Sequence, residues 1–381
     1  MRYYYWLFVY ISVPVELASS TDHPNYPIPL TETSRSELEL VWQGQLSDLV
    51  TAVACSPDGR GWAASSAAGE AVWNAGLDDL IPLITPDTHS EAVPTIAGLA
   101  FSPDSRWLAA GGRSRQLCIW NCEDPHLPPQ LVQCIEIGAW IERLAWHPHS
   151  SYLAVGTGVS ARIWDIRNFT QIAIWEFDKA SIFDLAWHPA GDLLAIAGYK
   201  GVQIRSIADA TAPSQRIEIE TASIRINWSD DGRYLAIGNL DRTLTIIDSE
   251  HPDRRWTLQG CPGKIRQLAW MAGTPNPCLA VASGNTIVLW HLNSDEIGWD
   301  GQLLEGHEGI IEVAIPHPYL PILASGSTDG YVCLWSASGD VEQILSERPI
   351  GKYTTLGWHP DGLDLLTGSQ NGSLGVWIIP A

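Results

Sequence analysis

The sequence predicts an all-β fold, a single ring of eight four-stranded antiparallel blades closed by a strand from the N-terminal side. Three observations carry this. The stretch 306–335, GHEGIIEVAIPHPYLPILASGSTDGYVCLW, reads as three short apolar strands separated by His-Pro and Thr-Asp-Gly turns, with a fourth strand at 341–345. The same unit recurs along the chain with a period in the low forties, as the third-strand ends at 73, 120, 164, 205, 247, 290, 335 and 377 show. Nineteen Trp stand against five Phe, a bias that one repeated Trp position explains. A four-stranded unit at that period is the signature of a β-propeller.

The first strands and their turns follow in order. They are VTAVACSPDG from Val50, IAGLAFSPDS from Ile96, IERLAWHPHS from Ile141 and IFDLAWHPAG from Ile182. IRINWSDDG from Ile224, IRQLAWMAG from Ile265, IIEVAIPHP from Ile310 and YTTLGWHPDG from Tyr353 complete the set. Third strands end on Trp in six copies and on Arg205 and Ile247 in the other two. Outer strands are expected at 80–84, 131–137, 171–177, 216–220, 255–259, 302–304 and 341–345. The eighth copy has no sequence left for one, so residues 37–43, ELELVWQ, are expected to supply it and remove the open edge. Inner strands lie between neighbouring blades, which accounts for apolar runs without clean alternation such as LLAIAG at 193–198.

Composition narrows the function classes. The chain has 381 residues, 45% apolar, with 43 acidic against 22 basic side chains and a net charge of −21. Such a surface repels phosphate backbones, so nucleic acid is not an expected partner. Seven cysteines show no tight metal-ligand spacing. Cys55, Cys118, Cys278 and Cys333 fall on strand positions, where a free thiol behaves as a small apolar residue, which suits a reducing, cytoplasmic setting. Residues 1–36 differ from the rest. MRYYYWLFVYISVPV is too short to span a bilayer as a helix, and Ala18, Ser19 and Ser20 follow it. A signal, an apolar arm and a mis-assigned start all fit residues 1–18. The signal would make the protein exported or membrane-associated. Two domains follow: 1–36, apolar segment and linker, and 37–379, the propeller.

On Gly306 and His307, the SPDG-type turn at 56–59 and IWD at 163–165, the chain resembles the WD-repeat β-propellers over about residues 37–379. In that family a His, a Ser or Thr, an Asp and the Trp form a hydrogen-bonded tetrad. The resemblance implies such a tetrad for His307, Ser325, Asp329 and Trp335, the one complete set. The other copies depart from it and must rely on apolar packing.

No GxSxG, GxxxxGK[ST] or HExxH pattern is present. His147, His188, His317 and His359 each precede Pro in the turn after a first strand, with His149 nearby. They share one face, but their turns diverge, so no metal site and no cofactor are expected. On the opposite face, around the channel, the resemblance implies a site for peptide segments. The residues there are Trp140, Glu142, Phe183, Arg225, Lys264, Arg266, Lys352 and Tyr353. Aromatic and basic groups on an acidic body select an acidic, partly apolar segment. The expected function is a non-catalytic protein-interaction scaffold, monomeric and cytoplasmic. The alternatives are a propeller enzyme of hydrolase or lyase type at the channel mouth, with Glu142 the one acid placed there, and an envelope protein.

Overall fold

The structure, a computed structural model, describes residues 37–85, 95–177, 180–346 and 351–379. The segment 1–36, with its apolar run, lies outside the described residues. Every regular element described is a strand, and among the described residues no helix is long and apolar enough to cross a membrane.

Each sequence copy folds as an antiparallel meander running outward from the channel, as in Ile96–Phe101, Trp107–Gly112, Gln116–Asn121 and Gln130–Glu136. The inner strands are buried on both faces; Ile96–Phe101 is buried at every position. The outer strands alternate, and Glu39–Gln45 exposes every second residue. The period-two pattern of strands meeting water on one face is therefore confined to the rim. The core lies between sheets rather than within one. Ala154 and Ile163 of the third copy pack with Leu185, Trp187 and Leu194 of the fourth, and Val50 and Val53 of the first with Leu366 and Leu374 of the last. That last cluster closes the ring.

Glu39–Gln45 pairs antiparallel with Ser373–Ile378 and completes the sheet containing Tyr353–Trp358 and Asp364–Ser369. Trp42 of this closing strand meets Trp62 of the first copy edge to face, with ring centroids 5.3 Å apart. The last sheet thus takes strands from both ends of the described chain.

The expectation of eight separate blades is corrected. Among the described residues there are seven hydrogen-bonded sheets, six of four strands and one of six. Counted as sheets, the propeller has seven blades, because the fourth and fifth sequence copies share the wide one. The cause is local. Leu193–Ser206 and Gln215–Trp228 each run on for 14 residues where other copies break into a turn or loop. Within Gln215–Trp228, residues 215–218 and 222 pair back onto the fourth copy, while 223–228 pair with Tyr234–Asn239 of the fifth. Backbone bends at Lys200 (φ 65°) and Gly201 (φ 125°) let Leu193–Ser206 fold back without leaving the sheet.

The cysteine expectation is also corrected. Cys118 and Cys134 lie directly opposite on neighbouring strands and form a disulfide, with Cα atoms 4.1 Å apart. Cys55, Cys122, Cys261, Cys278 and Cys333 are free.

Because the closing strand covers the outer edge of Ser373–Ile378, its removal exposes a row of unpaired backbone groups. A chain beginning at Leu46 is expected to melt about 5 °C or more below one beginning at Glu37. Matching transitions in a thermal scan would show that closure does not depend on residues 37–45.

Candidate partner-binding face

Equivalent positions near the starts of the inner strands, matched by their partners across the sheet, are Ala52, Gly98, Arg143, Asp184, Arg225, Gln267, Val313 and Thr355. Among them charge falls on Arg143, Asp184 and Arg225. Arg143 Nε donates to Asp184 Oδ1 at 2.9 Å, and Asp184 Oδ2 accepts the Ile226 amide at 3.1 Å. Arg225 donates from Nε to the Arg266 carbonyl and from Nη1 to the Ile224 carbonyl, both at 2.7 Å. Arg266 Nη1 meets Glu312 Oε2 at 2.8 Å. Hydrogen bonds thus link five consecutive copies, the third to the seventh.

Electrostatics follows from this crowding. Burial, with Arg143 and Arg266 nearby, pushes the Arg225 guanidinium down to about 10 against the opposing pull of Asp184. Burial also lowers Lys264, helped by Arg225 and Arg266. It raises Glu312, which Arg266, Lys264 and Lys352 oppose, and Glu142, which Arg143 opposes.

The predicted rim residues separate into two groups. Trp140 is 51% exposed, with the Arg113 guanidinium 5.3 Å from its ring centroid, and Lys264 and Lys352 are exposed. Glu142, Phe183, Arg225 and Arg266 are half-buried, and Tyr353 is 1% exposed, packed among Val313, Leu356 and Leu365. Tyr353 is a core residue rather than a rim residue. Sequence reasoning placed Glu142 as the only acid at the channel and missed Asp184 and Glu312. Aligning the second and third positions of the eight inner strands was the signal that could have found them. The arc is a neutralised network rather than a basic ring.

His307, Ser325, Asp329 and Trp335 come together. His307 contacts Asp329 Oδ2 through Nδ1 at 2.9 Å and Ser325 Oγ through Nε2 at 2.8 Å. Trp335 Nε1 donates to the same Ser325 oxygen at 2.8 Å. Asp329 Oδ2 also accepts the Glu308 and Gly309 amides, which ties the incoming loop to the sheet. Ser325→Ala leaves two buried ring nitrogens without that oxygen, so a loss on the order of 2–4 kcal/mol is expected in urea unfolding. A loss under about 0.5 kcal/mol would mean the network is energetically idle.

The His-Pro histidines do not converge on a common point. Each reaches the glycine turn of the next copy: His188 Nε2 to Gly232 O at 3.1 Å, His317 Nε2 to Gly362 O at 2.9 Å and His359 Nε2 to Gly59 O at 3.0 Å. His147 makes the equivalent contact with the Gly191 carbonyl. Nδ1 accepts an amide of its own turn, from His149 to His147 and from Tyr319 to His317, both at 3.0 Å. Such a ring is neutral, with its proton on Nε2. The glycine is required on steric grounds. Gly232 has φ 72°, and a Cβ there would lie 2.4 Å from His188 Nε2. Copies with Ser in this turn instead cap it internally, as when Ser229 Oγ accepts the Tyr234 amide at 2.8 Å. Another set of His and carboxylate groups, Asp248, Glu250 and His251, lies within metal-ligand range. There Asp248 already accepts from Arg233 and Arg254 at 3.2 Å.

Burial lowers the His147 and His317 pKa values, while at His359 the Gly59 carbonyl and Asp361 outweigh burial and raise it. A lowered imidazole favours the fold when neutral, so its contribution is present above the ordinary value near 6.5 and is lost as pH falls below it. His147→Gln with His317→Gln keeps amide donors but does not titrate. The stability margin of the parent over this variant is expected to be larger at pH 7.5 than at pH 5 in paired denaturation curves. A margin independent of pH would contradict the neutral staple.

The architecture is that of a propeller with charged and aromatic groups near the starts of its inner strands, and comparison with known sequences shows what it is similar to. A sequence model of the WD domain, G-beta repeat, matches residues 81–121 and 300–336. A model of eukaryotic translation initiation factor eIF2A matches 119–244. Protein HIR1 of Kluyveromyces lactis is 24% identical over 339 residues, covering 80% of this chain and 36% of the relative. Protein hir1 of Schizosaccharomyces pombe is 24% identical over 321 residues, covering 74% and 29%. B-type cell cycle switch protein ccs52B of Medicago truncatula is 31% identical over 163 residues, covering 39% and 31%. The chain thus carries WD-type repeats at residues 81–121 and 300–336, is similar to these proteins, and spans about a third of their length.

Proposed function

We propose that this protein is a non-catalytic WD-repeat scaffold, a cytoplasmic monomer that holds segments of partner proteins at the channel mouth. The carrying observation is Trp140, half exposed beneath Arg113 on a loop at the channel mouth. An open aromatic with a cation over it is the kind of anchor that dominates binding energy. Lys264 and Lys352 add exposed positive charge to a chain of net −21, which favours acidic, partly apolar segments over nucleic acid. The propeller orders these groups before the partner arrives, which lowers the entropic cost of capture.

One cavity of ≈ 60 Å³ between the third, fourth and fifth copies, lined by Trp146, Trp187, Trp228, Asp184 and Asp230, is small against the 300–1,000 Å³ of ordinary ligand clefts. Of the three acids placed near the channel, Asp184 and Glu312 are engaged with Arg143 and Arg266, and Glu142 is raised by burial against the opposing charge of Arg143.

Arg225 and Arg266 are poor probes of this reading, because their guanidinium groups hold the fold. Trp140→Ala with Lys264→Glu and Lys352→Glu changes exposed groups alone. Crosslinking followed by mass spectrometry should show partner recovery falling about tenfold, with Ile174→Ala on an outer strand as the control. An unchanged set of crosslinked partners would rule out the channel mouth.

A further inference from the structure

We propose that the wide sheet carries its own docking groove, built for an extended segment of a partner protein that alternates acidic with aliphatic or aromatic residues. The inference rests on the reading of this face as the partner-binding one and gives it a second, separate location.

The groove follows from the fusion of the fourth and fifth copies. Elsewhere a loop leads from an outer strand into the next inner strand. Here the chain passes through Ala222 as continuous strand. Tyr199 lies opposite Ala222 in the register, and the Leu240 amide donates to the Ala222 carbonyl at 2.9 Å. Ala222 is buried, while Tyr199 and Leu240 on either side are 53% and 54% exposed. A small buried residue between two large open apolar side chains, reached by continuous strand rather than a loop, marks a place where apolar side chains of another segment can pack against Tyr199 and Leu240.

Charge indicates the occupant. The turn residues beside Tyr199 and Leu240 are Lys200 and Arg242, both exposed and both in the left-handed backbone region, at φ 65° and 70°. Arg242 donates its amide to the Asn239 carbonyl, and the same turn bond is made by Gly69 to Ser66, Gly330 to Ser327 and Gly372 to Ser369. Three copies thus fill this position with the residue that takes φ > 0 freely, whereas the second and fifth hold an arginine there, Arg115 at φ 63° and Arg242 at φ 70°, the latter also donating from Nη1 to the Pro262 carbonyl at 3.3 Å. Lys200 stands over the Tyr199 ring, 5.7 Å from its centroid. Strain retained at exposed basic residues, in a chain of net −21, suggests a use for the charge. The nearby acids are Asp241, whose carboxylate is taken up by the Thr243 amide and hydroxyl, and Glu220, exposed on the outer strand. An extended segment with Leu or Tyr on one side and Glu or Asp on the other would seat its apolar side chains between Tyr199 and Leu240 and its carboxylates on Lys200 and Arg242.

The test uses the full chain and two fluorescent ten-residue peptides, one alternating Glu with Leu and one alternating Lys with Leu, read by anisotropy at two salt concentrations. The Glu–Leu peptide should bind, more weakly at high salt, and the Lys–Leu peptide should not. Tyr199→Ala with Leu240→Ala should weaken binding about tenfold or more. Lys200→Gly with Arg242→Gly should also weaken it and reduce its salt dependence, while the melting temperature holds or rises because glycine accepts the left-handed turn. Equal binding of both peptides, no binding at all, or affinity untouched by these four substitutions would overturn the proposal. So would tighter binding after removal of residues 1–36, which would make the chain itself the occupant, or dissociation of an oligomer by Tyr199→Ala, which would make it a second copy. If Trp140→Ala with Lys264→Glu abolishes peptide binding and Tyr199→Ala with Leu240→Ala does not, the channel mouth stands and the groove falls. The reverse result, with partner crosslinking indifferent to Trp140, leaves the groove and removes the channel mouth.

Discussion

An inner strand buried on both faces must have a neighbour on each side, and the rest of this protein follows from that constraint. No sheet here has a dry face of its own. Its apolar side chains are covered when the next copy is in place, so the ring has no natural place to stop. The seam between the last copy and the first uses the devices found between other copies. Val50 and Val53 pack with Leu366 and Leu374, Thr354 Oγ1 donates to the Val50 carbonyl at 2.7 Å, and His359 reaches Gly59. The closing strand is a consequence of this. A sheet built from both ends of the described chain locks the seam to the covalent chain, and the outer edge of Ser373–Ile378 is covered.

Links between copies run in both directions. Trp146, Trp187 and Trp270 donate backward from Nε1 to the Ala100, Ala145 and Asn227 carbonyls at 3.0, 3.0 and 3.2 Å. The His-Pro rings reach forward to glycine carbonyls. A blade is thus located by polar contacts on both sides, and apolar packing fills the space between. The channel arc adds a third kind of link. Burying Arg143, Asp184, Arg225, Arg266 and Glu312 costs desolvation, which is offset because each charge meets an opposite charge or a carbonyl from the neighbouring copy. Such pairs do little for net stability but disfavour any other order of neighbours.

Much of this was legible from the chain alone. The turn residues and the repeat period marked every inner strand, and the one complete tetrad could be named residue by residue. What failed depended on pairing. Turn signals count sequence copies, whereas sheets are defined by hydrogen bonds, and the two differ where the chain does not turn. The clue was present: residues 215–226, QRIEIETASIRI, contain no Gly, Pro or Asn, while other junctions read QGCPGK and EGHEG. Asp184 and Glu312 were missed because each inner strand was read singly, and channel neighbours become visible when the copies are superposed. Cys118 and Cys134 are 16 residues apart across a loop of unknown register, so their pairing had to await the sheet.

The fused copies are the two whose third strands lack the terminal Trp, and this has a physical reading. In the seventh copy a Cβ on Gly306 would lie 2.7 Å from the Trp335 ring, so the incoming loop is seated on that blade's own indole. The fifth copy has Ile247 at the equivalent position, packed in a cluster with Ile204, Ile226 and Ile237 drawn from both copies. No indole stands there to support a loop glycine, and the chain enters the fifth copy directly as a strand. In the fourth, Arg205 turns its guanidinium to the Ala212 carbonyl at 3.1 Å. In the fifth copy the missing indole thus goes with a missing loop, and the continuous strand joins two copies into one sheet beside the exposed Tyr199 and Leu240. The WD-domain matches at 81–121 and 300–336 fall outside this sector, and the different family model that matches 119–244 spans it. Departure from the repeat pattern and loss of the entering loop coincide in the fifth copy, where Ile247 stands in place of the Trp.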